Sequence, residues 1–232
     1  MSKPEFAGKR YVALSTDYDG TLAEEGRVSP ATVAALRRFK AQKGTLILAT
    51  GRVLEELKAL FPEIDLFDLV VAENGALLHW PGSGETRALS EPPPAEFVER
   101  LTQLGVGPIS VGHCIVATWT PHEIAVIEVI RTMQLELSIT FNKGAVMILP
   151  NGVNKASGLE AALSALGVAP SETVAIGDAE NDLAMLKLCG LGVAVANALE
   201  SVKKEADWVT PAARGEGVSQ MLESLMTADA QR

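Results

Sequence analysis

Two aspartates, one residue apart, close an apolar run in Tyr11-Val-Ala-Leu-Ser-Thr-Asp17-Tyr-Asp19-Gly-Thr21. The run reads as a strand, and Gly20 takes the chain out of it. Asp17 then sits at the carboxyl end of the strand, with Asp19 curling back beside it. A carboxylate so placed can attack phosphorus and carry it as an acyl phosphate. A second one nearby can pass a proton to the leaving oxygen. The same residues also describe a strand followed by an acidic turn, because Asp and Gly are ordinary turn formers. The rest of the chain decides between the two.

Three further segments carry groups of matching chemistry. Thr50-Gly51-Arg52 follows the apolar Leu46–Ala49, Lys155 opens a helical stretch, and Gly177-Asp178-Ala-Glu-Asn181-Asp182 follows Val174–Ile176. In open α/β sheets, ligands bind beyond the carboxyl ends of the strands, where strand order reverses. If the first strand is central, all four segments meet there. Thr50 then offers a hydroxyl, Gly51 and its neighbours offer amides, and Lys155 offers a point charge for phosphate oxygens. Arg52 reads either as a substrate contact or as half of an ion pair. Thr50 alternatively caps the helix that follows it. Asn74 either holds a left-handed turn before Gly75 or reaches the substrate pocket, and Asn181 orders the site. Asp17, Asp19, Asp178 and Asp182 would share one small volume. Two like charges 4 Å apart repel by about 4 kcal/mol at an effective dielectric near 20. A hard divalent cation relieves that repulsion, so Mg²⁺ is expected to raise the melting temperature.

The elements that must position these groups alternate. Strand-like runs at Tyr11–Thr16, Thr45–Thr50 and Leu69–Ala72 are nearly all apolar, as in parallel strands covered on both faces. Ser29 and Pro30 start a helix that is expected to stop at Gly44, and Val53–Leu60 reads as a second. After Lys155 the pattern resumes: helix to Leu166, strand Thr173–Ile176, helix Glu180–Leu188, strand Leu191–Val195, helix Leu199–Glu205, short strand Asp207–Val209 and a closing helix near Gly217–Met226. This predicts an α/β fold, a Rossmann-like doubly wound parallel sheet. The middle differs, with hairpins around Pro81–Gly84 and Lys143-Gly144, a β-rich Ile109–Trp119, and helical stretches up to Leu104 and over Pro121–Met133. It reads as an inserted α+β domain over 82–151, within a core formed by 1–81 and 152–232.

Composition narrows the possibilities. Of 232 residues, 47% are hydrophobic and 21% charged, with a net charge of −9. No basic stripe suits nucleic acid, and no apolar run approaches the ~20 residues that cross a bilayer. Met1–Phe6 lacks the apolar core of a signal peptide. Two cysteines without metal-ligand spacing fit a reducing, cytoplasmic setting. An anionic substrate on so acidic a chain needs its cations concentrated locally.

These motifs together resemble the haloacid dehalogenase superfamily of phosphatases. The likeness is to the branch with an α/β cap inserted between the second and third motifs, which includes Cof-type sugar phosphatases and archaeal-type phosphoglycolate phosphatases. D-x-D-G-T appears as Asp17 to Thr21, the second motif as Thr50, the family's lysine as Lys155, and G-D-x-x-N-D as Gly177 to Asp182. Glu73-Asn74-Gly75-Ala76 resembles the segment that opens the cap. Asn197 resembles a residue of the loop near the metal. The resemblance implies Asp17 as nucleophile, Asp19 as acid and base, and Mg²⁺ held by Asp17, the Asp19 carbonyl and Asp178, with Asp182 acting directly or through water. It implies a phosphomonoesterase for a small phosphorylated metabolite, phosphoglycolate before a sugar phosphate. Phosphotransfer to a second sugar, or a non-catalytic ligand-binding module, are the alternatives. His113 and Lys143, in the insertion, are candidates for reading the substrate. Monomer and homodimer remain equally open.

Overall fold

The structure, a computed structural model, describes residues 10–230; the N-terminal stretch weighed above as a leader lies outside them. In chain order the strands and α-helices are β1 Ala13–Asp17, α1 Pro30–Ala41, β2 Thr45–Ala49, α2 Leu54–Leu60, β3 Leu69–Ala72, β4 Leu77–Trp80, β5 Glu85–Ala88, α3 Ala95–Gln103, β6 Ser110–Val111, β7 Val116–Trp119, α4 Glu123–Thr132, β8 Leu137–Asn142, β9 Ala145–Pro150, α5 Lys155–Leu166, β10 Thr173–Gly177, α6 Leu183–Leu188, β11 Leu191–Ala194, α7 Glu200–Glu205, β12 Trp208–Val209 and α8 Arg214–Ala230.

An eight-stranded sheet runs in the order β12-β11-β10-β1-β2-β3-β4-β5. From β12 to β3 all neighbours are parallel; β4 and β5 are antiparallel. β1, β3 and β10 are buried at every residue. That burial accounts for their mostly apolar sequences, broken only by Ser15, Thr16 and Asp17 in β1 and Thr173 in β10, since helices cover both faces of such strands. β1 is central. The chain leaves it for β2 on one side and later returns to β10 on the other, so strand order reverses at the end of β1, where Asp17 lies.

Local departures from the expected elements have local causes. Ser29 caps α1, its Oγ accepting from the Thr32 amide at 3.1 Å. The helix stops through Lys43, which takes a left-handed φ of 63°. Gly44 is needed for another reason: a Cβ there would run into the Phe39 ring. Residues 180–182 form a 3-10 turn ahead of α6 rather than its first turn.

The second sheet, β6-β7-β9-β8, is antiparallel. α3 and α4 cover one face of it, packing Phe97, Leu101, Val126 and Val129 on Val116, Val146 and Ile148. The other face meets the core, where Ala76 packs with Cys114, Ile115, Met147 and Leu149. The boundary expected at residue 82 falls inside the β4–β5 hairpin. β5 pairs with β4, so the large sheet continues to Ala88 and the insertion's own sheet begins at Ser110. Turn residues at 81–84 marked the hairpin, but only pairing decides which sheet it joins.

Candidate active site

Asp17 is the last residue of β1 and is 4% exposed. Its Oδ1 accepts from Lys155 Nζ at 2.5 Å, and the same ammonium donates to Asp182 Oδ1 at 2.7 Å. Lys155 is 1% exposed, so a full positive charge is buried between two carboxylates. Burial favours the neutral amine, but the charges of Asp17 and Asp182 outweigh it and hold the ammonium above its ordinary range. Asp17 is raised to about 7 in all: burial pushes it up most, Lys155 pulls it down, and Asp182 and Asp178 push it up. This charged environment is hostile to an unpaired anion and suited to a cation.

Backbone shape delivers these groups. α5 starts at Lys155, with Asn154 Oδ1 accepting from the amides of Ala156 and Ser157. The helix lies directly on the Glu73–Gly75 turn. A Cβ at Gly75 (φ 107°) would strike the Asn154 carbonyl, and one at Gly158 would strike Gly75 and Val71. These two glycines therefore set how deeply Lys155 reaches. Asp182 folds back over its own turn, with Oδ2 accepting from the amides of Asp178 and Ala179 at 2.9 and 3.1 Å. Both of its oxygens are thus engaged, one on backbone and one on Lys155. Asp178 Oδ1 accepts from Thr21 Oγ1 at 3.2 Å.

Asp19 is placed differently. Its carboxylate lies outside the cluster formed by Asp17, Asp178 and Asp182, whose oxygens fall within 4.8 Å of one another in a grouping able to hold a metal ion. It is instead forked by Arg52, Nε to Oδ2 at 2.6 Å and Nη2 to Oδ1 at 2.7 Å. Arg52 also lies over the Tyr18 ring, 5.8 Å from its centroid. Of the two readings of Arg52, the ion pair is the one formed here. Thr50 Oγ1 accepts from the Arg52 amide at 3.1 Å in the turn after β2; it does not cap α2, whose N-cap is Val53 with no side-chain bond.

What Asp19 brings to the cluster is its backbone carbonyl. Lys143, in the β8–β9 turn, donates from Nζ to that carbonyl at 2.7 Å and to Asp178 Oδ2 at 2.9 Å. These two oxygens converge on one point, and an ammonium stands there. Asp17, Asp178 and the Asp19 carbonyl are hard oxygen donors of the kind Mg²⁺ takes, with water completing the shell. Among the core groups named, four carboxylates face two cations, Lys155 and Arg52, an imbalance that a divalent cation offsets.

A cavity of about 250 Å³ opens between core and insertion, lined by Asp17, Arg52, Trp119, Lys143 and Met147 among others. It is smaller than the ~300–1,000 Å³ of pockets for drug-sized ligands, so whatever fills it is small. Gly51 lies on its wall. Asn74 and Asn181 touch each other to one side, Asn181 Nδ2 to Asn74 Oδ1 at 3.4 Å, and Asn74 holds the left-handed turn at φ 54°. Neither lines the cavity, and nor does His113. Asn197 donates to the Gly20 carbonyl at 2.8 Å, steadying the loop after Asp19.

Sequence reasoning overlooked Glu73. Its carboxylate is buried and accepts from the amides of His113 and Cys114 at 2.8 and 2.7 Å, and from Ile115 at 3.3 Å. It pins the insertion to the core beside Asn74. A charged residue inside an otherwise apolar strand end was the signal available.

Comparison with known proteins agrees with this geometry. The chain matches the haloacid dehalogenase-like hydrolase family over residues 14–104 and 122–222. It is 32% identical over 223 residues to a phosphoglycolate phosphatase of Methanothermobacter thermautotrophicus, covering 92% of this chain and 98% of that one. It is also 32% identical over 222 residues to one of Archaeoglobus fulgidus, covering 92% and 96%. A haloacid dehalogenase-like hydrolase from Bacteroides thetaiotaomicron superposes with a TM-score of 0.81 at 23% identity, over 92% of this chain and 99% of that one; this likeness bears on the fold alone. The chain belongs to the haloacid dehalogenase-like hydrolase family.

Proposed function

We propose that this chain is a Mg²⁺-dependent phosphomonoesterase of a small phosphorylated metabolite, with phosphoglycolate the first candidate and a sugar phosphate the second. The observation that carries the reading is Asp17: a buried carboxylate at the end of the central strand, bonded to a buried lysine and facing a small cavity. The names of the similar archaeal proteins support the order of the candidates. Among the described residues no helix is long and apolar enough to cross a membrane; Cys114 and Cys189 are free thiols, as in a reducing, cytoplasmic setting.

Asp17, Asp178 and the Asp19 carbonyl would hold the metal, which supplies charge neutralisation for the phosphoryl oxygens. Asp17 attacks phosphorus, the bond from phosphorus to the ester oxygen breaks, and Asp19 gives its proton to the leaving oxygen. Water then attacks the phosphorus of the acyl phosphate, its proton passing to Asp19, and phosphate leaves Asp17 free. For this Asp19 must leave the Arg52 fork, which frees Arg52 toward the substrate. Lys155 fixes the attacking carboxylate and Thr50 offers its hydroxyl proton to a phosphoryl oxygen. Such catalysis is mainly positioning and electrostatics. The second sheet covers the site and meets the leaving group.

Phosphate release from a panel of small phosphate esters, phosphoglycolate included, tests the reading with Mg²⁺ and with EDTA. Mg²⁺-dependent release is expected. An isomeric ester without free phosphate would point to phosphotransfer, and no reaction with any ester would point to a binding module.

A further inference from the structure

Lys143 is the one charged residue that the insertion contributes to the cavity wall. Its side chain is 49% exposed, yet its ammonium is bonded to Asp19 O and Asp178 Oδ2. Those are two of the three oxygens that suit the metal. An ammonium and a divalent cation cannot share that point: they compete for the same lone pairs and repel each other. Metal entry therefore deprives Lys143 of both acceptors.

On the side of this cavity the released ammonium has few protein partners to turn to; on its other side it lines a second opening with Glu25 and Glu180. Of the cavity's carboxylates, Asp17 is bonded to Lys155 and Asp19 is forked by Arg52. Glu56 lies on the wall beside Ser110 and accepts its hydroxyl at 3.1 Å. The rest of the insertion's wall is uncharged: Ser110, Ala117, Thr118, Trp119, Asn142, Ala145 and Met147. A cation displaced into this small space favours a ligand with a second anionic group.

We propose that Lys143 reads an anionic group on the leaving part of the substrate, and that without metal it rests on the metal's own ligand oxygens. Its position then depends on loading: a cap contact in the empty site, a specificity contact in the loaded one. Lys143 and Gly144 both take left-handed φ, 50° and 89°, at the tip of a two-residue hairpin. The proposal rests on the metal and phosphatase readings above, and the test separates them.

The experiment compares wild type, Lys143→Met and Lys143→Arg. Mg²⁺ affinity is read directly by calorimetry, without substrate. A half-exposed ion pair is worth little, so Lys143→Met is expected to bind Mg²⁺ about 3- to 10-fold more tightly, with Lys143→Arg near wild type. Unchanged or weaker binding by Lys143→Met would overturn the resting position. If wild type took up no Mg²⁺, the metal reading would fall, and the resting position with it. Steady-state kinetics then compare phosphoglycolate with an ester whose leaving group is neutral, such as ethyl phosphate. At saturating Mg²⁺, Lys143→Met is expected to raise KM for phosphoglycolate about 10-fold more than KM for ethyl phosphate, with Lys143→Arg recovering most of the difference. Equal losses on both esters would overturn the specificity contact. Lack of turnover by wild type on either would overturn the phosphatase reading and the specificity contact together, while calorimetry still decides the resting position.

Discussion

The core and the insertion treat charge in opposite ways. In the core, Asp17, Asp178, Asp182 and Lys155 are all nearly inaccessible; Lys155 joins Asp17 to Asp182, Asp182 also accepts from backbone amides, and Asp178 accepts from the Thr21 hydroxyl. The insertion sends a single half-exposed ammonium into the site from a hairpin tip. Where the core reaches into the insertion, it does so in its own manner, with the buried carboxylate of Glu73 on three amides. Rigid, buried charge suits a step that must repeat with the same geometry. Exposed charge on a turn suits a contact that must be made and released.

The strongest test of that contrast is removal of the core's anion. Asp17→Asn keeps the shape and loses the nucleophile, so kcat should fall at least ~10³-fold. Assays of phosphate release read this directly, and retention of most activity would remove Asp17 from the chemistry.

Lys155→Met comes next. Deleting one partner of a buried pair costs about 3–5 kcal/mol because it strands the remaining charges. Its melting temperature in EDTA should therefore drop well below that of wild type, and Mg²⁺ should recover part of the loss. A surface pair such as Lys58–Glu55, 3.2 Å apart and exposed, should cost under about 1 kcal/mol when broken. Equal effects from the two lysines would erase the distinction between buried and exposed charge.

Glu73→Gln sharpens the seam between the regions. Hydrogen bonds to a charged acceptor are worth about 1.5–3 kcal/mol, so losing the charge should loosen the loop 112–115. Cys114 is buried in that seam and its thiol is pushed up, chiefly by burial and then by Glu73. Alkylation of Cys114 should rise several-fold in Glu73→Gln, read by mass spectrometry of the modified peptide. No change would mean that Glu73 does not hold the insertion down.

The smallest response to Glu73→Gln is expected at Cys189, which packs against the core. Burial pushes the Cys189 thiol up to about 12. Only the thiolate reacts, so at pH 8 alkylation should run at least about 100-fold slower than for a free thiol. It should also be indifferent to Glu73→Gln, which makes Cys189 the internal control for Cys114.

The core's chemistry was legible in the sequence because it is local. Asp17 and Asp19 share one turn, and Asp178 and Asp182 share another; strand ends place both pairs without reference to distant residues. The central position of β1 was only a condition in the sequence; its pairing with β10 and β2 establishes it. What escaped was whatever depends on packing across long separations. The acceptors of Lys143 lie 124 and 35 residues away, and the partners of Glu73 about 40 away. No periodicity marks either contact. The hairpin at 77–88 was visible, but not the sheet it joins. That the Asp19 carboxylate is forked by Arg52 is a packing detail that the residue types left open.

The most direct measurement traps the phosphoryl group. Wild-type protein mixed with Mg²⁺ and phosphoglycolate, quenched within the first turnover and treated with borohydride, should yield the peptide around residue 17 with Asp17 reduced to homoserine. The same peptide should be unmodified when substrate is omitted. Phosphate released with Asp17 intact, or homoserine at another aspartate, would contradict a covalent mechanism at Asp17.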